Sequence, residues 1–95
     1  MSAMPEVKAV RAVVSGRVQG VGFRFATVEA AHRLGVTGWV QNLPGGQVEV
    51  LAQGSEGAVD DLVAWLADGP RWASVVNVEV TPSESDAGLS TFSVR

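Results

Sequence analysis

Cysteine and tyrosine are absent from the sequence, and histidine occurs once, as His32. Without thiols, the chain has no disulfide, no thiolate metal ligand and no cysteine nucleophile. The His, Asp and Glu residues do not cluster at the spacing of metal ligands, so we expect neither a metal nor another cofactor. His32 lies about 180° from Phe23 on a helical wheel and is predicted to be a surface residue rather than a general base.

Basic residues and long hydrophobic runs are also scarce. Seven Lys and Arg side chains stand against ten Asp and Glu, which gives a net charge of −3, and the basic ones are dispersed. This distribution lacks the basic patch that binds nucleic acid, so we expect no nucleic-acid partner, although one local anion site is compatible with it. No hydrophobic run approaches the ~20 residues of a membrane-spanning helix, and the amino terminus has no signal-peptide pattern. We therefore expect a cytoplasmic protein with no membrane partner.

The composition that remains is typical of a folded globular protein. Hydrophobic residues make up 46% of the 95 residues, and charged residues 18%. A chain of this length can form one domain that buries roughly 60–65% of the surface exposed when it is unfolded. We predict a single domain over residues 1–95, with residues 1–5 as a loose tail and a monomer as the default state.

The first part of the chain predicts a strand followed by a helix. Residues 7–15 have a period of two with many β-branched residues, and this pattern places Val10, Ala12 and Val14 on one face of a strand. A helix that ends at Gly35 follows. Its inner face, at helical spacing, comprises Phe23, Thr27, Ala30 and Leu34.

A hairpin and a second helix come next. Two strands, over 36–42 and 46–53, are joined by the turn sequence Leu-Pro-Gly-Gly. Ser55 is a good N-cap for an amphipathic helix over 56–68, which Gly69-Pro70 ends. The chain therefore repeats the order of strand and helix.

A fourth strand, over 74–80, and an optional short fifth strand, over 91–94, complete the pattern. In the fourth strand, Val76, Val78 and Val80 alternate with less uniformly apolar residues and are predicted to share a face. Two helices cannot cover both faces of a four-stranded sheet. We therefore predict an α+β fold, a ferredoxin-like α/β sandwich with β-α-β-β-α-β order, an antiparallel sheet and both helices on one face.

The stretch SGRVQGVGFR, residues 15–24, places three glycines and an arginine between the first strand and the first helix. Glycines at such a junction let backbone N–H groups converge on an anion near the helix N-terminus. The dinucleotide-binding fingerprint fails because Phe25 stands where its third glycine belongs, and the nucleotide-triphosphate loop fails because no Gly-Lys-Ser/Thr follows. Arg24 adds a planar donor fork suited to two oxygens of a phosphate or carboxylate. The alternative is a plain tight turn with a solvated arginine.

Two segments, VSGRVQGVGFR (14–24) and GWVQNLPGGQVEVLAQG (38–54), resemble the signature segments of the acylphosphatase family. The resemblance extends over roughly Val7 to Val94. It implies the same ferredoxin-like fold. It also implies an enzyme that hydrolyses the carboxyl–phosphate bond of small acyl phosphates to a carboxylate and inorganic phosphate, which would also act as a competitive inhibitor.

The resemblance also implies the residues of the site. The backbone from Gln19 through Gly20, Val21, Gly22 and Phe23 to Arg24 would hold the phosphate. The Arg24 side chain would bind phosphate oxygens, and Asn42 would position the attacking water. Thr27 would support the site by ordering it. Val28 and Leu43 depart from the family pattern, and Leu43 leaves one fewer polar group beside Asn42.

Three other functions stay open from the sequence. The first is a non-catalytic module of the same fold that binds a small anion or metabolite. It would need the anion-binding residues 19–24 but not Asn42. The second is an RNA-binding domain, which would need aromatic residues on the third strand, where there are none. The three tryptophans are scattered along the chain, so we predict that they pack within the fold rather than stack on bases. The third is an acylphosphatase domain within a larger carbamoyl-transfer enzyme. A free-standing enzyme is the simpler interpretation.

Overall fold

The structure of the protein, a computed structural model that describes residues 7–95, contains five strands and two helices in that range. In chain order they are β1 (Val7–Arg17), α1 (Phe23–Leu34), β2 (Thr37–Asn42), β3 (Val48–Ser55), α2 (Glu56–Asp68), β4 (Ser74–Pro82) and β5 (Phe92–Val94). This order confirms the predicted pattern with its short fifth strand. The predicted loose tail, residues 1–5, lies outside the described residues.

The strands form one sheet in the order β4-β1-β3-β2-β5. The pairs β1–β3, β1–β4 and β2–β3 are antiparallel, as predicted, whereas β5 runs parallel to β2. The sheet is therefore mixed rather than wholly antiparallel. Both helices pack on the same hydrophobic core, so the predicted ferredoxin-like sandwich is confirmed.

The hydrophobic core lies between the sheet and the two helices. Val10, Ala12 and Val14 are buried there, as the alternation in β1 predicts. The helices contribute Phe23, Thr27, Ala30 and Ala31 from α1 and Val59, Leu62 and Leu66 from α2. Each fully buried leucine stabilises the fold by about 1.5–3 kcal/mol, which holds α2 against the sheet. Leu34, predicted on the inner face of α1, is only partly buried.

The predicted alternation in β4 is wrong. The pairing of β1 with β4 shifts between Ser15 and Gly16, whose partners are Asn77 and Val75, so Val76 is an extra residue in β4. Such a bulge exchanges the two faces of the strand beyond it. Val76 is accordingly 82% exposed, while Val75 and Val78 both pack against the core.

The predicted helix boundaries are confirmed at both helices. The Ser55 hydroxyl accepts a hydrogen bond from the Ala58 N–H at 3.3 Å and caps α2. Gly35 ends α1 in the left-handed conformation, with φ of 76°. These local signals place the starts and ends of the helices, and through them the loops that carry the site.

Candidate active site

The glycine-rich segment forms a loop, residues 18–22, between the end of β1 and the start of α1. Gly20 and Gly22 adopt positive φ angles of 73° and 78°, which side-chain-bearing residues rarely adopt. Gly22 is the N-cap of α1 and contributes no side-chain hydrogen bond to it. The first N–H groups of the helix therefore face the loop without a capping side chain, which suits an anion. We call residues 19–24 the phosphate loop.

Buried side chains anchor both ends of the phosphate loop. Val18 and Phe23 are almost completely buried. The Phe23 ring lies 5.9 Å from the Trp65 ring, centroid to centroid, so α2 fixes the start of α1. Thr27 is also buried, and its hydroxyl donates to the carbonyl of Phe23 at 2.8 Å. This hydrogen bond joins Thr27 to the first residue of α1, one turn earlier in the helix.

Gln19 ties the phosphate loop to the turn between β2 and β3. Its Nε2 donates to the carbonyls of Leu43 and Gln47, both at 2.8 Å. Gln47 in turn lies 3.2 Å, Nε2 to Oγ, from Ser15 at the end of β1. The sequence did not predict this use of the Gln19 side chain, because its partners lie 24 and 28 residues away and no local pattern indicates them.

Asn42, the last residue of β2, lies at the same end of the sheet as the phosphate loop. Its partner across the sheet, Val48, pairs on its other side with Val14 of β1. Asn42 is thus two strands from β1, about 10 Å across the sheet. It shares a face with the buried Val40, which is the face that carries α1, and is itself exposed. The hydrogen bond from Gln19 to the Leu43 carbonyl connects the phosphate loop to the residue that follows Asn42.

Arg24 is the second residue of α1 and is partly buried. Within residues 7–95 the ion pairs are Lys8–Asp60 and Arg11–Glu49, and the first turn of α1 contains no acidic residue. The Arg24 charge therefore opposes the helix dipole without a carboxylate partner in the described chain. A bound anion would compensate it.

The charges that are paired lie away from the phosphate loop. Lys8 donates to Asp60 Oδ1 at 2.7 Å, and this hydrogen bond raises the pKa of Lys8. Arg11 pairs with Glu49, whose other oxygen accepts from Gln41 on the sheet face opposite the helices. Neither pair involves Arg24.

The loop between α2 and β4, residues 70–73, borders the phosphate loop on the side away from Asn42. Arg17 pairs with Ser74, so the two loops leave the sheet side by side. A Cβ atom added to Gly69 would lie only 3.4 Å from the Phe23 ring. Trp72 in this loop is 72% exposed, so the prediction that it packs is wrong, whereas Trp65 packs against the core.

The other residues considered for catalysis or metal binding lie away from the phosphate loop or do not come together as a site. His32 is exposed, as predicted, and its Nε2 lies 3.1 Å from the Phe92 carbonyl in β5. Across residues 7–95, no three His, Asp or Glu side chains come together as metal ligands. In the same range, no helix is both long and apolar enough to cross a membrane. Of the predicted site residues, the phosphate loop with Arg24 and Asn42 therefore lie at the same end of the sheet.

Comparison with known proteins identifies the family of the chain. The family model described as Acylphosphatase matches residues 10–94. The acylphosphatase of Rubrobacter xylanophilus is 52% identical over 95 residues, which cover 100% of this chain and 86% of that protein. The crystal structure of the Bacillus subtilis acylphosphatase superposes with a TM-score of 0.88 at 38% identity, covering 95% of this chain and 99% of that one. The Coxiella burnetii acylphosphatase gives the same TM-score at 39% identity, covering 94% and 93%. The chain belongs to the acylphosphatase family, whose function is the hydrolysis of acyl phosphates.

Proposed function

We propose that this enzyme hydrolyses small acyl phosphates by in-line attack of water on phosphorus, without a covalent intermediate. The N–H groups of the phosphate loop and the Arg24 guanidinium hold the phosphoryl oxygens. Asn42 positions the water. The observation that carries this proposal is the Gln19 side chain, which bonds the phosphate loop directly to the turn that follows Asn42.

The chemistry suits this small set of groups. Phosphoryl transfer passes through a loose transition state that mainly requires positioning and stabilisation of the charge on the equatorial oxygens. Preorganised N–H donors and a guanidinium supply that stabilisation. The carboxylate of an acyl phosphate is a good leaving group, so the reaction does not require a strong acid at the leaving oxygen.

Asn42 is suited to hold the water because its amide both donates and accepts hydrogen bonds. Water forms the new P–O bond as the bond from phosphorus to the acyl oxygen breaks, and the carboxylate leaves with that electron pair. The proton of the water passes to an oxygen of the substrate's own phosphate and leaves with inorganic phosphate. His32 takes no part, since it faces β5.

Thr27 supports the site without touching the substrate. Its hydroxyl is donated to the Phe23 carbonyl within α1, so it orders the end of the phosphate loop. We also propose that the enzyme acts as a monomer, because the proposed mechanism requires only the phosphate loop, Arg24 and Asn42.

The experiment that tests the proposed function is the hydrolysis of acetyl phosphate and benzoyl phosphate in EDTA, with spontaneous hydrolysis subtracted. We expect turnover that EDTA leaves unchanged, and competitive inhibition by inorganic phosphate, which matches the phosphate loop. Binding of inorganic phosphate with no turnover of either substrate would instead indicate the non-catalytic anion-binding module. Loss of activity in EDTA, or inhibition that is not competitive, would contradict the site as described.

A further inference from the structure

If the proposed function holds, the sheet order indicates the side towards which the acyl group of the substrate leaves. In an in-line displacement, the attacking water and the leaving oxygen lie on opposite sides of phosphorus. The phosphate loop follows β1, and Asn42 ends β2, two strands to one side. The acyl group therefore points to the other side, towards β4.

The element on that side is the loop of residues 70–73. Strand β4 begins at Ser74, which pairs with Arg17, and β4 runs antiparallel to β1. Residues just before Ser74 thus lie beside residues just after Arg17, where the phosphate loop begins. Gly69, directly before this loop, also lies near the ring of Phe23, the first residue of α1, since a Cβ added to Gly69 would lie 3.4 Å from that ring.

Trp72 is the large side chain of this loop and is 72% exposed. The guanidinium of Arg71 lies 5.3 Å from the centre of the Trp72 ring, a cation–π distance. Arg71 therefore lies over one face of the indole. The ring belongs to the loop beside the phosphate loop and presents most of its surface to solvent.

We propose that Trp72 is the acyl-specificity residue of this enzyme and favours substrates whose acyl group is aromatic. An aryl ring leaving towards β4 packs against the indole, which buries apolar surface on both partners and allows offset or edge-to-face ring geometry. An acetyl group is too small to gain much from this contact. Arg71 acts through Trp72 by orienting the ring.

The test compares kcat/KM for benzoyl phosphate with kcat/KM for acetyl phosphate in each variant. We expect Trp72→Ala to lower this ratio by about 3- to 10-fold, chiefly through a higher KM for benzoyl phosphate. Trp72→Phe should restore most of the ratio, because it keeps an aromatic face. The inhibition constant of inorganic phosphate, which has no acyl group, should be unchanged in both variants.

The matched control is Trp39→Ala. Trp39 also has an arginine over its ring, Arg95 at 4.6 Å, but it lies in β2 on the sheet face opposite the helices. Its removal should leave the substrate ratio unchanged. A ratio in Trp72→Ala within twofold of the wild-type value, or an equal fall in Trp39→Ala, would overturn the proposal.

Failure of the specificity proposal is distinguishable from failure of the proposed function. If Trp72 has no role, both substrates are still hydrolysed and their ratio is insensitive to Trp72→Ala. If the proposed function fails, the wild-type enzyme hydrolyses neither substrate, or Asn42→Ala leaves both rates intact. Asn42→Ala should instead lower both rates together and leave their ratio unchanged.

Discussion

Replacing Arg24 with alanine is expected to lower kcat/KM for acetyl phosphate by about 10²- to 10³-fold or more. The guanidinium is the one side-chain cation that the proposed mechanism places on the phosphoryl oxygens, and alanine leaves their charge to the backbone N–H groups alone. The inhibition constant of inorganic phosphate should rise as well, because the same oxygens are bound in the product. Steady-state kinetics with both ligands measure these effects.

The fold should survive this substitution. Arg24 has no carboxylate partner within residues 7–95 and opposes the helix dipole, so its loss should change the free energy of unfolding by less than about 0.5 kcal/mol. Arg24→Lys should recover only part of the activity, because it keeps the charge but loses the planar fork. Arg33→Ala, in the last turn of the same helix, is the matched control and should leave kcat/KM unchanged. An Arg24→Ala enzyme with more than a tenth of wild-type kcat/KM contradicts the assignment.

Replacing Asn42 with alanine is expected to lower kcat by about 10²-fold or more while affecting phosphate binding little. The amide is proposed to contact the attacking water and not the phosphoryl oxygens. Its removal should therefore slow the chemical step. We therefore expect an unchanged inhibition constant for inorganic phosphate, in contrast to Arg24→Ala. Urea denaturation should show a stability close to that of the wild type, because the Asn42 side chain is exposed.

The control for Asn42 is its neighbour Gln41, whose side chain lies on the opposite face of β2. Gln41 Nε2 donates to Glu49 Oε1 at 2.6 Å, so Gln41→Ala removes a hydrogen bond without touching the site. Its kcat should match that of the wild type. If Asn42→Ala instead weakens phosphate binding and kcat equally, Asn42 contacts the phosphoryl group and the attacking water is held by another residue.

Local chemistry made most of the fold predictable. The period-two alternation in β1, the N-cap at Ser55 and the glycine that ends α1 each act over a few residues, and the structure confirms all three. The face of β4 was not predictable in the same way. The bulge at Val76 arises from pairing with Ser15 and Gly16, about sixty residues earlier, which no local pattern in β4 records.

The candidate site was likewise predictable only in part. The glycine spacing left open an anion loop or a plain tight turn at Gly20 and Gly22, and the positive φ angles of both residues are compatible with either. The role of Asn42 followed only from the family resemblance, because an asparagine before a hairpin turn is otherwise ordinary. The Gln19 bonds and the exposure of Trp72 emerged only from the three-dimensional contacts between distant segments.

The most direct test of the mechanism is to hydrolyse benzoyl phosphate in ¹⁸O-labelled water and locate the label, after subtracting the uncatalysed reaction. Attack of water on phosphorus, held between Arg24 and Asn42, forms the new bond to phosphorus. The account therefore predicts one ¹⁸O atom in each molecule of inorganic phosphate and none in benzoate. Label in benzoate would show attack on the acyl carbon and would contradict the assignment of the phosphate loop, Arg24 and Asn42.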